Sequence, residues 1–133
     1  HMQVIRARVR HIRSTSSAWP HDLLDIAEGD VVLIYDIRRY ENSTLRLAEI
    51  AKERGAKIAL ITDQWQSPIS QYADVSLKCR IEAPSAWDST VSMMLLSETL
   101  IAAVQEARWD QTETRMHALE DMFDQTKIFR KFV

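Results

Sequence analysis

The chain has 133 residues, 46% of them apolar and 27% charged, with a formal net charge of −2 at pH 7. That length and balance suit one globular domain with a real core, and exclude nucleic-acid binding through bulk positive charge. A local patch is the alternative, but its best candidate, Arg6, Arg8, Arg10 and Arg13, reads as a solvated face.

His1-Met2 reads as an expression scar. Residues 3–13, "QVIRARVRHIR", fit both an alternating and a helical pattern, and are predicted as the end of a helix running into a short strand. "STSSAWP" is a polar connector, and "HDLLDIAEGD" is a short helix closed by Gly29. "VVLIYD" is an unbroken, β-branched apolar run, the pattern of a strand buried on both faces. "NSTLRLAEIAKERG" follows as a helix stopped at Gly55, and "AKIALITD" as a second buried strand. Together they form a strand–helix–strand unit joining parallel strands.

A turn with Pro68 and a short helical piece lead into "DVSLKCRI", a third strand nearer the sheet edge. "SAWDSTVSMMLLSETLIAAVQEA" is a long helix, with Ser85 and Asp88 placed as a capping box. Its apolar residues surround most of its circumference, so it is expected to pack on the sheet and against a partner chain. "QTETRMHALEDMFDQTKIF" is an amphipathic helix with Met116, Leu119, Met122 and Phe123 on one stripe. The alternation predicts an α/β fold: an open, mainly parallel sheet with helices on both faces. In such sheets ligands lie beyond the carboxyl ends of the strands.

Three segments reach that edge. In "YDIRRYENST", Arg38 and Arg39 are fork-shaped cations suited to carboxylate or phosphate, and a helix starting near Asn42 turns backbone N–H groups toward the same space. Asp36 at the strand end either accepts sugar hydroxyls or pairs with one of the arginines. In "ITDQWQSPIS", Thr62 and Ser67 either face a ligand or cap the next turn, and Trp65 is a candidate interface anchor. In "APSAWDSTV", Ser85 and Ser89 open the long helix. Glu98 lies among apolar neighbours, a setting that would raise its pKa and suit it to acid–base work.

The histidines, His1, His11, His21 and His117, stand at no metal spacing, and with two glycines the chain has no standard P-loop or dinucleotide fingerprint. No cofactor is called for. The single cysteine, Cys79, has neither a partner nor a zinc-type spacing, which fits a reducing, cytoplasmic setting. No run reaches membrane-span length, and the start lacks signal-peptide architecture.

The stretch "GDVVLIYDIRRYENSTLRLAEIAKERGAKIALITDQWQSPISQYADVSLKC" resembles the sugar isomerase (SIS) domain, in the version found at the C-terminal end of RpiR-type transcriptional regulators. The likeness rests on a buried strand and turn, a helix ending "A…GAK", a strand ending "ITD", and "SP…ADV" before the next strand. It divides the chain into a partial N-terminal portion (3–28), a best-matching core (29–107) and a C-terminal helix (108–133).

The resemblance implies a flavodoxin-type three-layer sandwich and a phosphosugar-binding, dimeric or tetrameric regulatory domain. DNA would be reached through a helix-turn-helix module absent from this chain. The family's turn offers two serines, a glycine and a threonine to phosphate; the aligned positions here are Asp36, Arg38, Arg39 and Glu41. An anionic sugar or carboxylate metabolite is therefore as fitting a ligand as a plain sugar phosphate. Two alternatives follow: a domain active only in dimerisation, or an aldose–ketose isomerase using Glu98. The front of the domain looks truncated, with its first, central strand missing.

Overall fold

The computed structural model describes residues 1–13 and 15–129. The chain divides into two compact units, one spanning Ile12–Leu96 and one formed by His1–His11 with the described residues from Ser97 onward.

The first unit holds α2 (Trp19–Leu24), β1 (Val31–Asp36), α3 (Asn42–Glu53), β2 (Lys57–Asp63) and β3 (Val75–Cys79), and α4 (Val91–Ala107) begins in it. The strands form a parallel sheet in the order β1-β2-β3. Val31 stands beside Lys57 and Asp36 beside Thr62, while Ala59 stands beside Val75 and Asp63 beside Cys79. All three strands therefore point their carboxyl ends the same way, and the segments after β1, β2 and β3 emerge at one rim.

Alternation along the strands builds two cores. Val32, Ile34, Ile58 and Leu60 point to one face and pack with Leu47, Ala48 and Ala51 of α3 and Leu23 of α2. Ile61 points to the other, with Ile81 and Met93 and the partly buried Leu33, Leu77 and Leu96. Helices thus cover both faces, α3 on one and α4 on the other. Burying each large aliphatic side chain contributes about 1.5–3 kcal/mol, so the five fully buried residues Ile58, Leu60, Ile61, Ile69 and Ile81 dominate the stability of this unit.

α3 ends because Gly55 takes a left-handed φ of +89°. The Gly55 N–H reaches the Lys52 carbonyl at 3.0 Å and the Ala56 N–H reaches the Ala51 carbonyl at 3.1 Å, which closes the helix and aims the chain into β2. Asp74 fixes the far side: its carboxylate accepts from Lys52 Nζ and, at 2.7 Å, from the Ile58 N–H.

The second unit packs α1 (Met2–Ile5) against α5 (Trp109–Thr126). Thr112 is buried and donates from Oγ1 to the Ile5 carbonyl at 3.3 Å, and Arg115 Nε donates to the Gln3 carbonyl at 3.0 Å.

Four local expectations change. Residues 6–13 form no strand, because the three arginines among Ile5, Ala7 and Val9 leave no sheet edge a reason to bury that row. α2 starts at Trp19 rather than His21, with Pro20 in its first turn, where a missing N–H costs nothing, and it ends at Leu24, so Gly29 does not close it. β1 is buried on one face only: it is a sheet edge, and Val31 and Tyr35 are 62% and 46% exposed. α4 starts at Val91, so Ser85 and Asp88 do not cap it; Ser89 Oγ accepts from the Val91 N–H at 3.3 Å.

The two glycines separate backbone strain from crowding. Both have φ near +90°, but a Cβ on Gly29 would meet nothing within 4 Å, while one on Gly55 would meet the Glu28 Cα at 3.2 Å. Gly29→Ala is expected to cost about 1 kcal/mol and Gly55→Ala clearly more. Urea denaturation of the two variants checks this; equal losses would refute the role given to the Glu28 contact.

Candidate functional site

The rim is organised by Asp63, the last residue of β2, which is fully buried. Its Oδ2 accepts from the Arg38 N–H at 2.8 Å, and its Oδ1 accepts from Tyr40 Oη at 2.6 Å and from the Trp65 and Gln66 N–H groups at 3.0 Å. Burial alone would push this carboxyl up, but the Tyr40 hydroxyl and the three backbone donors together hold it below the usual carboxylate range. In turn, burial and the bond to Asp63 push the Tyr40 phenol up to about 12.

Asp36, at the end of β1, is a second buried carboxylate. It accepts from Ser67 Oγ, and the Glu41 backbone also favours its charged form. Burial raises its pKa in spite of both, and the nearby charges of Glu41 and Asp63 add to the rise. It pairs with neither arginine.

Arg38 instead leans across the rim to the segment between β3 and α4. Its Nε lies 3.0 and 3.1 Å from the two Asp88 oxygens and its Nη2 lies 2.6 Å from Oδ1. The guanidinium also stacks over Trp65, with Cζ 4.1 Å from the ring centroid. Arg38 holds the Asp88 carboxyl below its ordinary value, with Arg39 adding to the effect. Arg39 is exposed and forms no side-chain hydrogen bond or ion pair among the described residues.

The eight residues singled out from the sequence therefore separate by role. Thr62 is fully buried, and its Oγ1 accepts from the Ser67 N–H at 3.0 Å. The Ser67 hydroxyl is committed to Asp36 and to the Ile69 N–H, which it caps at 3.1 Å. Ser85 Oγ serves Trp87 within its own loop, and Ser89 Oγ meets Val91. Asp36 is internal, and Glu41 precedes α3 as its N-cap and accepts from Ser43 Oγ at 3.2 Å. Arg38 and Arg39 present charge to solvent at the rim, beside the start of α3, which has no side-chain cap.

Three contributors were read differently in the sequence. Asp63 stood as a strand end, Trp65 as an interface anchor and Asp88 as a helix cap. Tyr40 carried no signal beyond its place after two arginines. Glu98 is exposed on α4, without the apolar enclosure expected of it.

The rim is open to solvent. A separate depression, lined by Arg46, Glu49, Lys52, Glu53 and Tyr72, runs along α3 and shares none of these residues. Among the described residues no cluster of His, Cys, Asp or Glu has the form of a metal site, and no helix is long and apolar enough to cross a membrane.

A parallel sheet covered on both faces, with polar loops gathered at its carboxyl rim, defines the open α/β class of domains. Within that class the chain belongs to the SIS-domain family, whose model matches residues 1–103. Among solved structures, it is similar to the sugar isomerase domain of an RpiR transcription factor from Sphaerobacter thermophilus, with a TM-score of 0.71 and 19% identity over 85% of this chain and 62% of that one. It is also similar to the Vibrio vulnificus NanR protein complexed with ManNAc-6P, with a TM-score of 0.75 and 14% identity over 94% of this chain and 48% of that one. At these identities the likeness establishes the fold, and the chain spans less than two thirds of either solved chain. Among curated proteins, none matches the chain in sequence.

The Asp63 bonds make a stability prediction. In Asp63→Asn the new amide would face the Arg38 N–H donor to donor, so the variant is expected to lose about 2–4 kcal/mol at pH 7. Because the folded-state pKa of Asp63 lies below its unfolded value, this stability is full above the unfolded value and is lost as pH falls through the folded one. The gap between wild type and variant should therefore narrow below about pH 4. Denaturation curves between pH 7 and pH 2 measure it; a pH-independent gap would contradict the assignment.

Proposed function

We propose that this chain is the effector-binding and self-association domain of an RpiR-type transcriptional regulator, taking an anionic sugar-like metabolite at the strand-end rim. The observation that carries the reading is the gathering of Arg38, Arg39 and the uncapped start of α3 at the carboxyl ends of a parallel sheet. Backbone donors at a helix start favour an anion, and guanidinium forks hold a carboxylate or phosphate by two bonds.

Family membership and the two structural relatives support the regulatory class, and NanR supplies one example of a sugar phosphate in such a protein. The rim of this chain departs from a hydroxyl cradle: Asp36, Thr62 and Ser67 are engaged internally. What remains outward includes two arginines, beside the carboxylates of Glu41 and Asp88, so the ligand class includes sugar acids as well as sugar phosphates. The role is regulatory rather than catalytic, and supporting it is the exposure of Glu98, the acid–base candidate. Operator contact belongs to a helix-turn-helix module outside these residues.

Self-association rests on α4. Val91, Met94 and Leu95 are 73%, 62% and 65% exposed and share one face by their spacing. A second copy of the chain is the proposed cover for that face.

Calorimetric titration with N-acetylmannosamine 6-phosphate and with glucuronate tests the ligand reading. Binding is expected in the wild type, with a loss of about tenfold or more in Arg39→Ala, whose side chain supports nothing else in the fold. No binding of either probe, or undiminished binding in both Arg38→Ala and Arg39→Ala, would refute it. Light scattering tests the association: Leu95→Asp should shift the mass toward the monomer.

A further inference from the structure

Residues 80–90 join β3 to α4 without helix or strand. The segment is fastened at its two ends, by the Ser89 N–H to the Ile81 carbonyl at 2.7 Å and by Ser92 Oγ to the Arg80 carbonyl, with Ile81 fully buried. Its middle is exposed, and Trp87 is 80% so. Between these fastenings the Asp88 carboxylate meets the Nε and Nη2 edge of Arg38. That is the two-point contact that a ligand carboxylate or phosphate makes with an arginine.

We propose that Asp88 is an internal occupant of the anion seat: a carboxylate or phosphate engaging Arg38 displaces it and releases the 82–90 segment at the entrance to α4. The inference rests on the effector-binding reading and adds its regulation. Two features make the exchange workable. The seat survives the departure of its occupant, because Arg38 keeps its backbone bond to Asp63 and its stack on Trp65. The occupant is also weakly held, since the paired side chains are 46% and 29% exposed and ion pairs in water are cheap to break.

A ligand that must evict Asp88 binds more weakly than one meeting an empty seat, by the fraction of time the seat is free. The evicted segment leads directly into the face of Val91, Met94 and Leu95. Occupancy of the rim is thereby coupled to the surface proposed for self-association, through a contact that differs between the free and bound states.

The test uses the whole chain as wild type, Asp88→Asn and Asp88→Ala, titrated with N-acetylmannosamine 6-phosphate and glucuronate, with amide exchange followed over residues 82–90. Both variants should bind about three- to tenfold more tightly than the wild type, and their 82–90 amides should exchange rapidly without ligand. The wild-type segment should reach that rate only on binding. The two probes distinguish phosphate from carboxylate as the displacing group.

Equal or weaker binding by both variants, or increased protection of 82–90 in the liganded wild type, would overturn the displacement while leaving the effector site standing. Absence of binding in all three proteins would overturn the effector reading and the displacement with it.

Discussion

Four donors converge on the carboxylate of Asp63, and the rim takes its shape from that convergence. The Arg38 N–H and Tyr40 hydroxyl come from the turn after β1, and the Trp65 and Gln66 N–H groups from the loop after β2. A buried charge is tolerable only when its lone pairs are filled, so burial and the four bonds require each other. One residue thereby fixes where two neighbouring loops leave the sheet, and it fixes the root of the Arg38 side chain. The turn after β1 has no glycine to let it fold back compactly; its backbone is held by Asp63, which accepts from the Arg38 N–H.

Asp36 and Asp63 end neighbouring strands, Asp36 next to Thr62 in the register and Asp63 one residue on, so by alternation their side chains leave opposite faces of the sheet. Their environments push them in opposite directions, Asp36 up by burial and Asp63 down by its donors. In an enzyme such a split marks an acid and a base. Here both carboxylates are turned inward and occupied by protein donors, with Ser67 bridging from the next segment to Asp36. The split therefore describes how two charges share a dry strand end, and the chemistry offered to solvent is left to the arginines.

The alternation of strand and helix patterns made the parallel sheet legible, because a buried apolar run such as "AKIALITD" has few other ways to be satisfied. Helix ends were legible where a single residue decides them, as Gly55 does for α3. An apolar run such as that of β1 reports what a strand is able to bury and says nothing about which neighbours are present; among the described residues β1 is a sheet edge, and Val31 and Tyr35 are exposed. The arginines and Asp36 were found from their place at a strand end, but their partners were not. Arg38 meets a residue fifty positions away, and Tyr40 meets Asp63 across two loops; pairings of that kind depend on tertiary placement, which local spacing does not encode. Ser85 and Asp88 fit a capping pattern that the chain does not use, because the Ser89 N–H bond to Ile81 delays α4 to Val91.

The two arginines divide the work that hydroxyls and compact backbone would otherwise do. Arg38 is fixed at two points independent of Asp88, by its backbone bond to Asp63 and its stack on Trp65. A fixed guanidinium loses little further freedom when an anion arrives, so in the proposed function its geometry favours two-point acceptors, carboxylate or phosphate. Arg39 is exposed and unpaired among the described residues, so in the proposed function it would contribute attraction and lose side-chain freedom on closing over a ligand. A hydroxyl cradle recognises phosphate by enclosing it; a fixed fork beside a free one would recognise charge from one side. In the proposed function this widens the range of anions that the rim accepts, and it makes the internal carboxylate of Asp88 a competitor of the same chemical kind as the ligand.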